Sequence, residues 1–121
     1  MSSSAVILFA HGAREPEWAQ PFESIRDRLR AAGITVELAF LEIISPSLDE
    51  AAARLAEKGF ETVTIVPLFL AQGAHLKHDL PAMVEKIRKR HAKTEFRVTP
   101  ALGEAPEIVT AITEWVQRAA R

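Results

Sequence analysis

The chain has 121 residues, enough for one domain with a buried core, and its 48% hydrophobic and 26% charged residues are those of a folded globular protein rather than a disordered one. A formal net charge of -1 leaves no global positive field to draw nucleic acid. Cysteine is absent, which excludes disulfides and thiolate metal sites, so any metal must be held by nitrogen or oxygen.

Met-Ser-Ser-Ser leads directly into an apolar run, with no basic segment and no long apolar stretch. Neither a signal peptide nor a membrane span is expected, and the cytoplasm is the default location. Residues 5–10 (AVILFA) are continuously apolar, as in a strand covered on both faces. His11-Gly12 follows, then Pro16 and Pro21 in a loop or first helical turn. Phe22, Ile25 and Leu29 recur at helical spacing, and Gly33 stops that helix.

Residues 35–41 form a second strand, rich in Val, Leu and Phe. Ser47 stands three residues before Glu50, the spacing of a capping box, and opens a helix that ends at Gly59. Residues 63–70 are the third apolar run. Asp79 is the expected N-cap of a helix over about residues 80–91, with Pro81 in its first turn. Residues 96–99 make a short fourth strand, and Pro106 opens a last helix with Ile108, Ile112 and Trp115 on one face.

The pattern β-α-β-α-β-α-β-α makes residues 1–121 a single α/β domain. The expected architecture has three layers: a four-stranded parallel sheet in flavodoxin-like order 2-1-3-4, with helices on both faces. Ligands of such sheets bind beyond the carboxyl ends of the strands, near the point where strand order reverses. That point lies between the first and third strands. The first empties into His11-Gly12-Ala13-Arg14 and the third into the segment carrying Gly73, His75, Lys77 and His78. Two separate segments thus bring histidine to one rim, and imidazole suits iron, cobalt, nickel or zinc.

Glu42, at the end of the second strand, reaches the same rim and could complete a two-histidine, one-carboxylate set or take up a proton. Arg14 and Lys77 flank the histidines and could meet carboxylates of an anionic ligand. His78 reads as a loop brace, and His91 sits at the basic end of a charged helix, where cations complement the macrodipole. Trp18 and Phe69 could wall a planar ligand but also suit core packing. No Gly-rich dinucleotide fingerprint, P-loop or G-x-S-x-G elbow is present. The acidic pair of a receiver domain is replaced by His11-Gly12. Ala10 stands where a histidine phosphatase carries arginine.

Three segments together resemble the small-type sirohydrochlorin cobaltochelatases, the short class II chelatases. ILFAHGAR at residues 7–14 is similar to the family's AHGSR opening. AFLE at 39–42 is followed by Pro46-Ser47-Leu48. VPLFL at 66–70 precedes Gly73-Ala74-His75 and Asp79-Leu80-Pro81. The likeness runs from about Val6 to Pro81; beyond that the chain matches only as a generic strand and helix. Ala13 departs from a common serine, and Gln72 from a frequent glycine, which alters the loop beside the site.

The resemblance implies a chelatase-like fold, one chain equal to half of the larger two-lobed chelatases. It implies a homodimer with its active site in the cleft between subunits. It implies insertion of a divalent metal (Co²⁺, Fe²⁺ or Ni²⁺, as substrate) into a sirohydrochlorin-type tetrapyrrole, without an organic cofactor and without nucleic-acid or membrane partners. His11 and His75 would bind the metal and catalyse, with Glu42 as the nearby acidic residue. The rival readings are a non-catalytic metal or tetrapyrrole carrier using the same histidines, and a flavodoxin-like interaction domain whose histidines are structural.

Overall fold

A computed structural model describes residues 3–121. The elements follow in the order β1 (Ser4–Ala10), α1 (Gln20–Ala31), β2 (Val36–Phe40), α2 (Leu48–Glu57), β3 (Thr62–Pro67), α3 (Ala74–Arg90), β4 (Glu95–Val98) and α4 (Pro106–Ala119). Short 3₁₀ turns at Pro16–Ala19 and Leu102–Glu104 precede α1 and α4. The four strands form one sheet in the order β2-β1-β3-β4, and every neighbouring pair is parallel. The expected strand order and the alternation of strand and helix are both realised.

Side-chain alternation sends Ile7 and Phe9 to one face of β1, and Leu8 and Ala10 to the other. On the first face they meet Leu48, Ala51 and Leu55 of α2, and Leu80, Val84 and Ile87 of α3. On the second, Leu8, Val36, Leu38 and Phe40 meet Phe22 and Leu29 of α1, with Trp18 packed beside them. Ile25, expected on the buried face of α1, is instead 42% exposed, because the helix seats on the residues two turns apart, Phe22 and Leu29.

The capping box forms as expected. The Glu50 backbone N–H donates to the Ser47 hydroxyl at 3.2 Å, and the Ser47 backbone N–H donates to the Glu50 carboxylate at 3.0 Å. The Ser47 backbone N–H, and then the Ser47 hydroxyl, hold the Glu50 carboxyl below its ordinary value.

Two boundaries differ by three residues or more from those the sequence predicts. β3 stops at Pro67 rather than residue 70, because Pro67 has no N–H to continue the ladder. Leu68 makes one last bond, its N–H donating to the Phe9 carbonyl at 2.8 Å, and the apolar run then leaves the sheet.

The larger correction concerns α3. It begins at Ala74, not after Asp79, with Gly73 in the extended N-cap position and the Lys77 N–H donating to the Gly73 carbonyl at 3.0 Å. Pro81 lies inside the helix, at a cost of about 3 kcal/mol. The early start lets Leu76 and Leu80 extend the stripe of Val84 and Ile87 against the sheet. Each fully buried leucine contributes about 1.5–3 kcal/mol, so burying Leu80 and most of Leu76 offsets the proline.

Candidate active site

At the carboxyl end of β1 the chain turns sharply. Gly12 has φ +101°, and a Cβ there would overlap the carbonyl oxygen of Glu42. Only glycine satisfies both conditions. Its absent side chain lets the loops after β1 and β2 lie against each other. The Leu41 N–H donates to the Ala10 carbonyl at 2.9 Å, and the Glu42 N–H to the His11 carbonyl at 3.1 Å. Just beyond, Ile43 has φ +71° while the Ile44 N–H donates to the Glu42 carbonyl at 2.8 Å. A β-branched residue in the left-handed region stores about 1–3 kcal/mol of strain, here in the turn that carries Glu42.

This backbone seam brings the side chains together. His11 Nε2 lies 3.0 Å from Glu42 Oε1. A carboxylate only accepts, so Nε2 carries the hydrogen in this contact, and a neutral ring keeps its lone pair on Nδ1. Phe69 supports the imidazole from below, edge-on at 6.2 Å between ring centroids, and itself packs edge-on against Phe9 at 5.6 Å. Gly103 holds Phe69 in place. The Gly103 N–H donates to the Phe69 carbonyl at 3.3 Å, and a Cβ on Gly103 would overlap the Leu70 carbonyl.

His11 and Glu42 line a cavity of about 380 Å³, and His75 lines it from the first turn of α3. The remaining wall is largely apolar, with Leu41, Phe69 and Met83. The three residues proposed from sequence for metal and proton chemistry therefore share one concavity at the rim of the sheet. Its floor is low in polarity, and its mouth is open enough that the His11 side chain is 56% exposed.

Asp79 also lines this cavity. The sequence reading assigned it to a helix cap, and its position four residues after His75 acquires meaning only once α3 is known to start before both. Among the described residues, no three His, Asp or Glu side chains stand close enough to enclose an ion.

The other candidates lie elsewhere. Lys77 lines a separate cavity of about 330 Å³ with Leu80, Val84 and Arg88. Arg14 is exposed in the loop after Gly12 and lines neither cavity. Trp18 packs on Phe22 and Phe40, at 4.7 Å and 6.1 Å, on the opposite face of the sheet. His78 is 88% exposed, with Nδ1 at 3.4 Å from Asp79 Oδ1, and lies in α3 rather than in a loop. His91 closes α3 at its C-cap.

The CbiX family model matches residues 5–119 of the chain. The chain is 31% identical to the sirohydrochlorin cobaltochelatase of Sulfolobus acidocaldarius over 94% of its own length and 90% of the relative's. It is 30% identical to the sirohydrochlorin ferrochelatase of Priestia megaterium over 91% of its own length and only 42% of that protein's. It therefore spans less than half of that longer relative. A solved structure described as a CbiX protein of cobalamin (vitamin B12) biosynthesis, from Marinobacter aquaeolei VT8, superposes with a TM-score of 0.84 at 33% identity, covering 98% of this chain and 96% of the other.

Proposed function

Because the chain belongs to the CbiX family, we propose that it is a sirohydrochlorin chelatase, a lyase that inserts Co²⁺ or Fe²⁺ into the macrocycle in tetrapyrrole biosynthesis. The observation that carries this reading is the cavity shared by His11, Glu42 and His75 above an apolar floor. Metallation removes two pyrrole protons and exchanges the metal's water ligands for four ring nitrogens. A flat ring resists, since its lone pairs point inward. A protein helps by holding the metal beside the ring and by binding the ring bent, with a few kcal/mol of strain.

In this reading His11 and His75 present the metal ion, which is a substrate. Glu42 orients the His11 ring through the 3.0 Å contact and receives a departing proton. The apolar floor faces the macrocycle. Arg14 and Lys77, both exposed outside the cavity, meet its peripheral carboxylates. The cytoplasmic location expected above belongs to the same reading.

The reading includes a homodimer. Helix α4 buries none of its residues, and Trp115 is 65% exposed beside Val109, Ile112 and Val116. A helix of this length is marginal in water unless its apolar face is covered. Next to its start lies an apolar groove of about 450 Å³ lined by Val66, Leu68, Pro100 and Ile108. A second copy covers both, an assembly supported by a relative more than twice as long that matches this chain over 42% of its length.

Anaerobic absorption spectroscopy of sirohydrochlorin with Co²⁺, Fe²⁺ or Ni²⁺, with and without protein, tests the reading and ranks the metals. Catalytic acceleration is expected, with its loss in His11→Ala and His75→Ala. Stoichiometric binding without turnover would instead make the protein a carrier.

A further inference from the structure

The cavity carries a fourth polar group that neither the chelatase reading nor its histidine pair uses. Asp79 follows His75 by four residues on α3, and both line the cavity. Side chains at this helical spacing are neighbours, with Cβ atoms about 5–6 Å apart. An imidazole nitrogen and a carboxylate oxygen so placed can converge on one divalent ion, each at about 2 Å. The site thus holds two imidazole–carboxylate pairs, one on the loops after β1 and β2 and one on α3. They differ in an important respect. Glu42 is committed to His11 at 3.0 Å, whereas among the described residues the one polar contact to the Asp79 side chain is a long one, 3.4 Å from the exposed His78 ring.

We propose that His75 and Asp79 together form the docking site for the incoming divalent cation, with Asp79 as a direct ligand. This rests on the chelatase reading and names where its metal is first held. Two protein ligands suit a cation that must be handed on. A divalent ion held by this pair keeps further coordination positions for water. An ion held this way keeps open positions, unlike a closed four-ligand structural site, and can exchange its waters for ring nitrogens. The carboxylate also offsets part of the cation's charge beside an apolar floor, where an uncompensated ion is costly.

The test is Co²⁺ titration of the whole protein without tetrapyrrole, followed by calorimetry and by the visible d–d bands of cobalt, which report its ligand set. Asp79→Asn is expected to weaken Co²⁺ binding about 10- to 100-fold and to change the bands. Asp79→Glu is expected to restore most of the affinity, and His78→Ala to leave it unchanged. Far-UV circular dichroism and thermal melts of the Asn variant check that α3 persists. The proposal is overturned if Asp79→Asn binds Co²⁺ with the parent's affinity and spectrum, or if the parent binds no Co²⁺. Failure of the chelatase reading is a separate result: Co²⁺ binds as described, but sirohydrochlorin is metallated no faster with protein than without.

Discussion

His11 and Glu42, 31 residues apart in the chain, are joined twice: by the Glu42 backbone N–H donating to the His11 carbonyl at 3.1 Å, and by the contact between their side chains at 3.0 Å. The backbone bond fixes how far apart the two loops can stand, and the side-chain bond fixes which way the imidazole faces. Both side chains are more than half exposed, at 56% and 57%. A pair this open contributes only about 0–1 kcal/mol to folding, so its consequence lies in orientation.

Glu42→Gln should therefore leave the melting temperature nearly unchanged while lowering the rate of sirohydrochlorin metallation by about 10- to 100-fold, the range for losing a group that orients a ligand. Parallel melts and initial rates check both halves. An unchanged rate would make Glu42 a bystander.

Gly12→Ala should be costly to the fold as well as to the site. The residue has φ +101°, and a Cβ would overlap the Glu42 carbonyl, so relief requires the two loops to part. A loss of about 3 kcal/mol is expected in urea unfolding. Because the His11–Glu42 seam opens, activity should fall even under conditions where the variant remains folded.

The capping box makes a pH-dependent contribution with a definite sign. The Glu50 carboxyl lies below its ordinary value of 4.5 because the folded protein hydrogen-bonds its ionised form through the Ser47 backbone N–H and then the Ser47 hydroxyl. The folded state thus binds fewer protons than the unfolded one. The contribution is fully present above about pH 4.5 and is lost as pH falls through the lowered folded value. Unfolding free energy measured between pH 6 and 3 should decline less steeply in Glu50→Gln than in the parent. At neutral pH, Ser47→Ala should cost about 1 kcal/mol.

The uncovered face of α4 gives a direct test of assembly. Trp115→Arg places a charge in the centre of the Val109, Ile112 and Val116 stripe. Sedimentation velocity should find the parent at twice the chain mass and the variant at the monomer mass. Metallation rates measured on the same samples should fall if the active site lies in the cleft between subunits. A parent that sediments as a monomer at every concentration would refute the dimer.

Much of this protein was legible in one dimension because the signals were local. A continuous apolar run marks a two-sided strand, Ser47 three residues before Glu50 marks a helix start, and the alternation of strand and helix implies a parallel sheet whose ligand rim is known in advance. His11 and Glu42 were placed on that rim for this reason, and the fold does bring them into contact. His75 reaches the same cavity although its segment is helix and not loop, since a loop and a helix start occupy the same place after β3.

The helix decides which residues are its neighbours. On a helix, residues two apart point about 200° away from each other, whereas residues four apart lie within about 40°. Once α3 starts at Ala74, Lys77 must face away from His75, and Asp79 must share its side. Read as a loop, the same segment would let Lys77 turn into the cavity beside His75 and leave Asp79 a mere cap.

By itself, then, the order of residues determined the number and kind of elements, the rim, and which segments carry His11 and His75 to it, because each rests on periodicity or punctuation within a few positions. Tertiary structure decided which side chains share the cavity, for the start of α3 is set by a competition no local pattern reports: the burial of Leu76 and Leu80 against a sheet built from distant strands outweighs the hydrogen bond that Pro81 forfeits.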